Sequence, residues 1–178
     1  MTALPILTAS LELRPFAPQD VAKALAMSQE SKSRRWLPDQ VYDDEKKAKH
    51  VVLELATFAR IRNPQKAPLV LGGYLQSNNE LIGHVGLSMC KAGVEVGYAI
   101  ETAAQGQGYA TEAVVALSSW YVQGREESVW GIVVKANAAS CRVLEKSGFT
   151  FIDEEVGDFH GRREILRRYC REPNPFDG

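Results

Sequence analysis

The sequence predicts an α+β fold, with one mostly antiparallel mixed sheet of about seven strands and about four flanking helices, in a single domain over residues 1–178. Three observations carry this expectation. Strand-like runs at Leu69 to Gln76, Leu81 to Met89 and Val94 to Ile100 follow one another across Ser77-Asn78-Asn79 and Lys91-Ala92-Gly93, and connections that short imply antiparallel pairing. A glycine-rich loop ending at Thr111 runs straight into an amphipathic helix. Helical and strand periodicities alternate elsewhere, with no internal repeat, low-complexity tract or linker to divide the chain.

In chain order, Leu11 to Phe16 alternates as a first strand. Pro18 to Glu30 reads as a helix, with Val21, Leu25 and Ser28 on one face and Asp20 in the first turn. The connection through Arg34, Arg35, Trp36 and Pro38 has no regular period. A second helix is expected from Asp43 to Arg62, where Ala48, Val51, Val52, Leu55 and Ala59 form the apolar stripe. Asp43, Asp44 and Glu45 suit its positive N-terminal end. After the three-strand meander, Ala110, Ala113, Val114, Leu117 and Tyr121 recur at helical spacing, with Gly124 as the stop. Val129 to Val134 reads as a buried strand, and Asn137 as the N-cap of a short helix closed by Gly148. Phe149 to Val156 and Glu164 to Cys170 complete the sheet as a hairpin.

Composition sets outer limits. With 178 residues, 45% hydrophobic and 24% charged, the chain suits one globular domain with a substantial core. A formal net charge of -1 argues against a dedicated nucleic-acid binder. Met1 to Ser10 has no basic n-region, and no apolar run is long enough to cross a bilayer, so the expected location is cytoplasmic. Cys90, Cys141 and Cys170 are widely spaced without C-x-x-C, and His50, His84 and His160 lack ligand spacing. Neither a metal nor a disulfide framework is expected, and a homodimer is left open.

The loop Gln105-Gly106-Gln107-Gly108-Tyr109-Ala110-Thr111 carries the first chemistry. Its glycines permit φ > 0 and close backbone approach, successive N–H groups can form an anion nest, and the following helix adds its positive end. There is no G-x-x-x-x-G-K-[ST], and Gly106-x-Gly108 has no third glycine, so a P-loop is excluded and a dinucleotide fingerprint is weak. On the preceding strand, Glu95, Gly97 and Ala99 share a nearly bare face opposite Val94, Val96, Tyr98 and Ile100. Glu95 is the carboxylate on that bare face.

Q-x-x-G-x-A, from Gln105 to Ala110, resembles the acetyl-CoA pyrophosphate loop of the GNAT superfamily of N-acetyltransferases. Gly93 to Ile100 is similar to the strand before that loop in the RimJ/RimL branch, which modifies ribosomal proteins. Asn137-Ala138-Ala139-Ser140 through Gly148-Phe149 is similar to that branch's N-x-x-S-x-x-x-x-E-K-x-G-F helix, and Leu11 to Phe16 resembles its opening strand. The resemblance implies the GNAT fold, acetyl-CoA as cosubstrate and an amine acceptor, either a protein N-terminus or a small molecule. It also implies a splayed strand whose backbone near Ala99 and Ile100 holds the pantetheine arm, an arm contact from Asn137, and Ser140 near the sulfur as proton donor to the leaving thiolate. Arg142 or Lys146 would reach a cofactor phosphate. Glu95 would deprotonate the amine or only orient its ammonium.

This chain departs from the branch pattern at the acceptor side. Ala99 stands where the pattern usually has Trp, and Glu101-Thr102-Ala103-Ala104 replaces a turn with proline and tryptophan. Glu164 is a candidate substitute for an aspartate before the last strand. A non-catalytic acyl-CoA-binding module on the same fold stays as the rival expectation.

Overall fold

A computed structural model describes residues 4–123 and 125–173. Its elements are β1 (Ile6–Leu7), β2 (Leu11–Arg14), α1 (Val21–Ser28), α2 (Ser31–Trp36), α3 (Glu45–Phe58), β3 (Leu69–Leu75), β4 (Leu81–Cys90) and β5 (Gly93–Ile100). There follow α4 (Tyr109–Val122), β6 (Val129–Val134), α5 (Ala138–Lys146), β7 (Thr150–Phe159) and β8 (Arg162–Arg171). The eight strands form one sheet in the order β1-β2-β3-β4-β5-β6-β8-β7. Among the described residues, only β5 and β6 pair in parallel.

Strand alternation divides the core into two layers. Leu11, Leu13, Leu69, Leu71, Val85, Leu87, Val94 and Val96 pack with Ala113, Val114, Leu117 and Tyr121 of α4 and with Leu144 of α5. Tyr74, Leu81 and the partly buried Val70 belong instead to a second cluster with Phe16, Val21, Ala24, Ala48 and Val52, from α1, α3 and their approach. Period-2 side chains on β3 thus serve α4 on one face and α1 and α3 on the other.

Local chemistry sets the helix ends. The Asp44 carboxylate accepts from the Lys47 N–H at 2.7 Å, so α3 starts at Glu45, two residues later than expected. Asp20 accepts from the Ala17 N–H at 2.7 Å and from the Tyr74 hydroxyl at 2.5 Å, pinning the entry to α1 on the sheet. Pro18–Asp20 is a 3-10 turn rather than the first turn of α1. Glu112 of α4 accepts from the Thr8 hydroxyl at 2.5 Å and the Ser10 N–H at 2.6 Å, which fixes the β1–β2 turn.

The expected architecture holds, with two elements added. β1 is two residues long, too short for a periodic signal. α2 occupies the stretch read as irregular, and none of its six residues is buried. The closing hairpin is longer than expected, reaching Phe159 and Arg162 around a turn in which His160 and Gly161 have φ 50° and 78°. Gly124, the expected stop of α4, lies outside the described residues.

Candidate active site

β5 and β6 pair only at Val94↔Val129 and Glu95↔Trp130, although both strands run on, to Ile100 and Val134. Beyond Glu95 they become opposite walls of a cleft of about 580 Å³. Which backbone groups face this gap follows from the β4–β5 ladder. The Glu101 N–H donates to the Ile82 carbonyl at 2.8 Å, and hydrogen-bonded pairs alternate along an antiparallel ladder. Glu95, Gly97 and Ala99 therefore turn their peptide groups to β4, while Val96, Tyr98 and Ile100 turn theirs to the gap.

This corrects one expectation. Ala99 lines the cleft, but its backbone is paired with His84 and cannot hold an added strand. The Ile100 carbonyl does face the gap, and the Gln105 side chain donates to it at 2.7 Å. Gln105 thereby ties the end of β5 to the loop.

The loop has the geometry that an anion nest requires. Gly106 and Gly108 have φ of 81° and 89°, and a Cβ built at either would meet no atom within 4 Å. The Gly108 carbonyl accepts from the Glu112 N–H at 3.0 Å, leaving the N–H groups of Tyr109, Ala110 and Thr111 without acceptors in their own helix. Gly106, Gly108, Tyr109, Ala110 and Thr111 all line the cleft. Gln107 does not, and its side chain accepts from the Tyr109 hydroxyl at 3.3 Å. Lys32, Arg142 and Lys146 also line the cleft, and among the described residues none is paired with a carboxylate. Free amides and three uncompensated cations suit the phosphates of coenzyme A.

Across the gap, the Asn137 side chain accepts from the Ser140 N–H at 3.2 Å, so it caps α5 as expected. The Tyr98 hydroxyl donates to the Ser140 carbonyl at 3.0 Å. Burial pushes Tyr98 up to about 12, and the neighbouring Ser140 draws it back, so the phenol keeps its proton at neutral pH. Tyr98 was not among the expected site residues, because its face of β5 reads as core.

Glu95 sits where β5 and β6 part. Burial raises its carboxyl to about 7, against a partial pull downward from the Ile132 amide and the Cys90 thiol. Beside it on the same face, Gly97 is exposed, with nothing within 4 Å of a notional Cβ. His84 is a strand residue held against Gln40 at 3.1 Å, and burial lowers its imidazole to about 4. It stays neutral at pH 7.

Remote segments complete the other end of the cleft. Trp36 and Leu37 line one side, Phe159 and His160 the other. These sides are joined: His160 Nδ1 meets Asp39 Oδ2 at 2.7 Å, and Arg162 donates to the Arg35 carbonyl at 3.3 Å. Glu30 accepts from the N–H and hydroxyl of Thr102 at 2.9 and 2.7 Å, and Lys32 donates to Gln105. The α1–α2 turn is thus clamped to the phosphate loop. In the sequence, the only sign of this wall is the His160-Gly161 turn dipeptide. Arg167 and Arg168, from the charged C-terminal run, pair with Glu154 and Asp153 at 3.2 and 2.5 Å.

The family model described as an acetyltransferase (GNAT) domain matches residues 10–150. The chain belongs to the GNAT acetyltransferase family. Its fold matches solved GNAT structures along nearly the whole length. A GNAT-family acetyltransferase from Bacillus anthracis superposes with a TM-score of 0.79 at 18% identity, over 96% of this chain and 99% of that one. An acetyltransferase from Salmonella typhimurium that modifies the N-terminal serine of ribosomal protein L7/L12 gives 0.78 at 19%, over 96% and 100%. A RimL L7/L12 α-N-protein acetyltransferase bound to coenzyme A gives 0.78 at 19%, over 95% and 98%. No curated protein matches the chain. Among the described residues, no helix is long and apolar enough to cross a membrane.

Proposed function

We propose that this acetyltransferase moves the acetyl group of acetyl-CoA to a primary amine, by direct attack within a ternary complex. The observation that carries the reading is Glu95, a carboxyl raised to about 7 at the point where the sheet opens. An amine attacks a thioester only as the free base. Deprotonating an α-amine of pKa about 8 costs roughly 1.4 kcal/mol at pH 7, against about 4.6 kcal/mol for a lysine near 10.4. A base poised near 7 suits the first task, directly or through a water.

The remaining roles follow from placement. Amides of the Gly106 to Thr111 loop, with Lys32, Arg142 and Lys146, hold the phosphates. N–H groups of β5 that face the gap stabilise the negative charge on the thioester oxygen as the amine nitrogen bonds to the carbonyl carbon. Glu95 takes the proton from nitrogen, the carbon–sulfur bond breaks, and the Ser140 hydroxyl passes a proton to the departing thiolate as it takes one from solvent, while Tyr98 holds the Ser140 carbonyl. Cys141 is buried at 3% exposure, which suits direct transfer better than an acetyl-cysteine intermediate. RimL-type relatives support a protein N-terminus as acceptor, and a small-molecule amine fits the same chemistry.

The test is release of the coenzyme A thiol from acetyl-CoA against a panel of amines and N-terminal peptides, with initial rates measured over both substrates. Intersecting rate patterns are expected, and parallel patterns would replace the ternary complex with an acetyl-enzyme. Acetyl-CoA binding without transfer to any amine would leave a binding module on the same fold.

A further inference from the structure

The splay that opens the cleft leaves its two sides to be held at a fixed separation. Past the Glu95↔Trp130 pair, β5 stays with the β4 ladder, where Tyr98 stands opposite Val85. Helix α5 goes with β6 instead. The Asn137 N–H donates to the Val134 carbonyl at 2.8 Å, so the helix that carries Ser140 starts directly from the end of that strand. From the other side, the Tyr98 hydroxyl reaches across and donates to the Ser140 carbonyl at 3.0 Å.

Ser140 is thereby held at both of its peptide groups. Asn137 accepts from its N–H at 3.2 Å, Tyr98 donates to its carbonyl, and neither bond uses the Ser140 hydroxyl. Tyr98 is suited to act as a strut. Its ring packs against the buried core, and burial keeps the phenol protonated, so it stays a donor at neutral pH. The same residue turns its own N–H to the gap, by the alternation of the β4–β5 ladder.

We infer that Tyr98 is a positioning residue for acetyl transfer, whose hydroxyl fixes Ser140 relative to the gap-facing N–H of Tyr98 itself. The thioester oxygen and the departing sulfur are then met by two groups whose separation one rigid side chain sets. The inference rests on the acetyltransferase reading above and adds the residue that couples its two sites of developing charge. As the carbon–sulfur bond breaks, the electron pair goes to sulfur, and the Ser140 hydroxyl gives sulfur a proton and is reprotonated from solvent. Tyr98 gives up no proton. Its contribution is geometry, and geometry of this kind is worth much: a misplacement of about 1 Å can cost about 100-fold in rate.

The experiment measures kcat and the KM for acetyl-CoA, with the fastest amine of the panel at saturation, in the wild type, Tyr98→Phe, Ser140→Ala and the double variant. Calorimetry with acetyl-CoA and urea denaturation accompany each protein. Tyr98→Phe keeps the ring and the backbone amide, so the fold should survive and acetyl-CoA should bind within about 2-fold of the wild type, while kcat falls by roughly 10- to 100-fold. The double variant should be slower than Ser140→Ala by no more than about 2-fold, because a hydroxyl that is gone cannot be misplaced. A merely structural Tyr98 gives another pattern, with lower stability, unchanged kcat per folded molecule and independent effects in the double variant. Wild-type kcat in Tyr98→Phe, a loss confined to KM, or losses that multiply in the double variant would overturn the positioning role while leaving acetyl transfer intact. Wild-type kcat in Ser140→Ala would overturn it too, since no proton donor would remain to be positioned. Failure of the wild type to acetylate any amine would instead remove the reading on which the inference rests.

Discussion

The two ends of the cleft are built differently. At the proposed phosphate end the groups offered are peptide amides, placed by a contiguous loop whose two glycines adopt φ of 81° and 89°. At the proposed acceptor end they are side chains brought together from α2, from β5 and from a hairpin tip more than a hundred residues beyond α2. Seven consecutive residues are enough to specify the first kind of site. The second needs the whole fold.

The largest expected effect falls on the acceptor end. Glu95→Gln should retain acetyl-CoA affinity and lose turnover by roughly 10²- to 10⁴-fold near neutral pH, the usual range for a lost general base. In the wild type, kcat/KM should rise as pH climbs through about 7, because Glu95 must be ionised to accept a proton. The mutant should lack that limb and recover partly at high pH, where more amine is already neutral. A pH–rate profile of both proteins decides the matter. Matching profiles would reduce Glu95 to a structural carboxylate and remove the chemical contrast between the two ends.

Next comes the phosphate end. Gly108→Val should weaken acetyl-CoA binding by about 100-fold, roughly 2.7 kcal/mol, while transfer chemistry on bound substrate changes less. A β-branched residue at φ 89° is strained, and its side chain would enter the space that the nest leaves open. The fold should survive a strain of about 1–3 kcal/mol. Calorimetry showing wild-type affinity in a folded mutant would remove the loop from phosphate binding.

The same contrast governs what was legible in the sequence. The loop, α4 and the Asn137 cap could be read because glycine, helical periodicity and N-cap chemistry act within a few residues. Helix α2 could not. Ser31 to Trp36 has no apolar stripe, and its position depends on contacts such as Lys32 with Gln105 and Glu30 with Thr102, more than seventy residues away. Side-chain faces on β5 could be read from alternation, but which peptide groups face the gap depends on register with β4, so of the expected pair Ala99 and Ile100 only Ile100 turns its peptide groups to the gap, with Tyr98 and Val96. Glu95 could be singled out as a carboxylate on a bare face. Its raised pKa comes from burial by elements that are remote in sequence.

That burial predicts a smaller, opposite effect on stability. The folded protein holds Glu95's proton up to about pH 7, whereas an ordinary glutamate gives it up near 4.5. Within this window the folded state binds the additional proton, so the contribution of Glu95 to stability falls as pH rises, and the whole cost stands above about pH 7. Glu95→Gln should therefore be more stable than the wild type at pH 8 by about 3 kcal/mol, with the gap closing toward pH 5. Urea denaturation at the two pH values measures it. A mutant less stable at pH 8 would mean that hydrogen bonds to the ionised carboxylate outweigh its burial.

The smallest effect tests the seam where the two ends meet. Lys32 belongs to the acceptor-side helix α2, yet its ammonium lies in the cleft against Gln105 of the phosphate loop. Its exposed charge is screened beyond about 8 Å at physiological salt, so Lys32→Met should weaken acetyl-CoA binding only about 2- to 5-fold, or roughly 0.4–1 kcal/mol. The loss should shrink as salt is raised toward 1 M. Acetyl-pantetheine, which carries no phosphate, should bind both proteins equally. Equal losses for both ligands at every salt concentration would show that Lys32 acts by holding Gln105, and through it the Ile100 carbonyl, rather than by its charge. The phosphate end would then depend on α2 for its shape, and the division between a local site and an assembled one would fail at that residue.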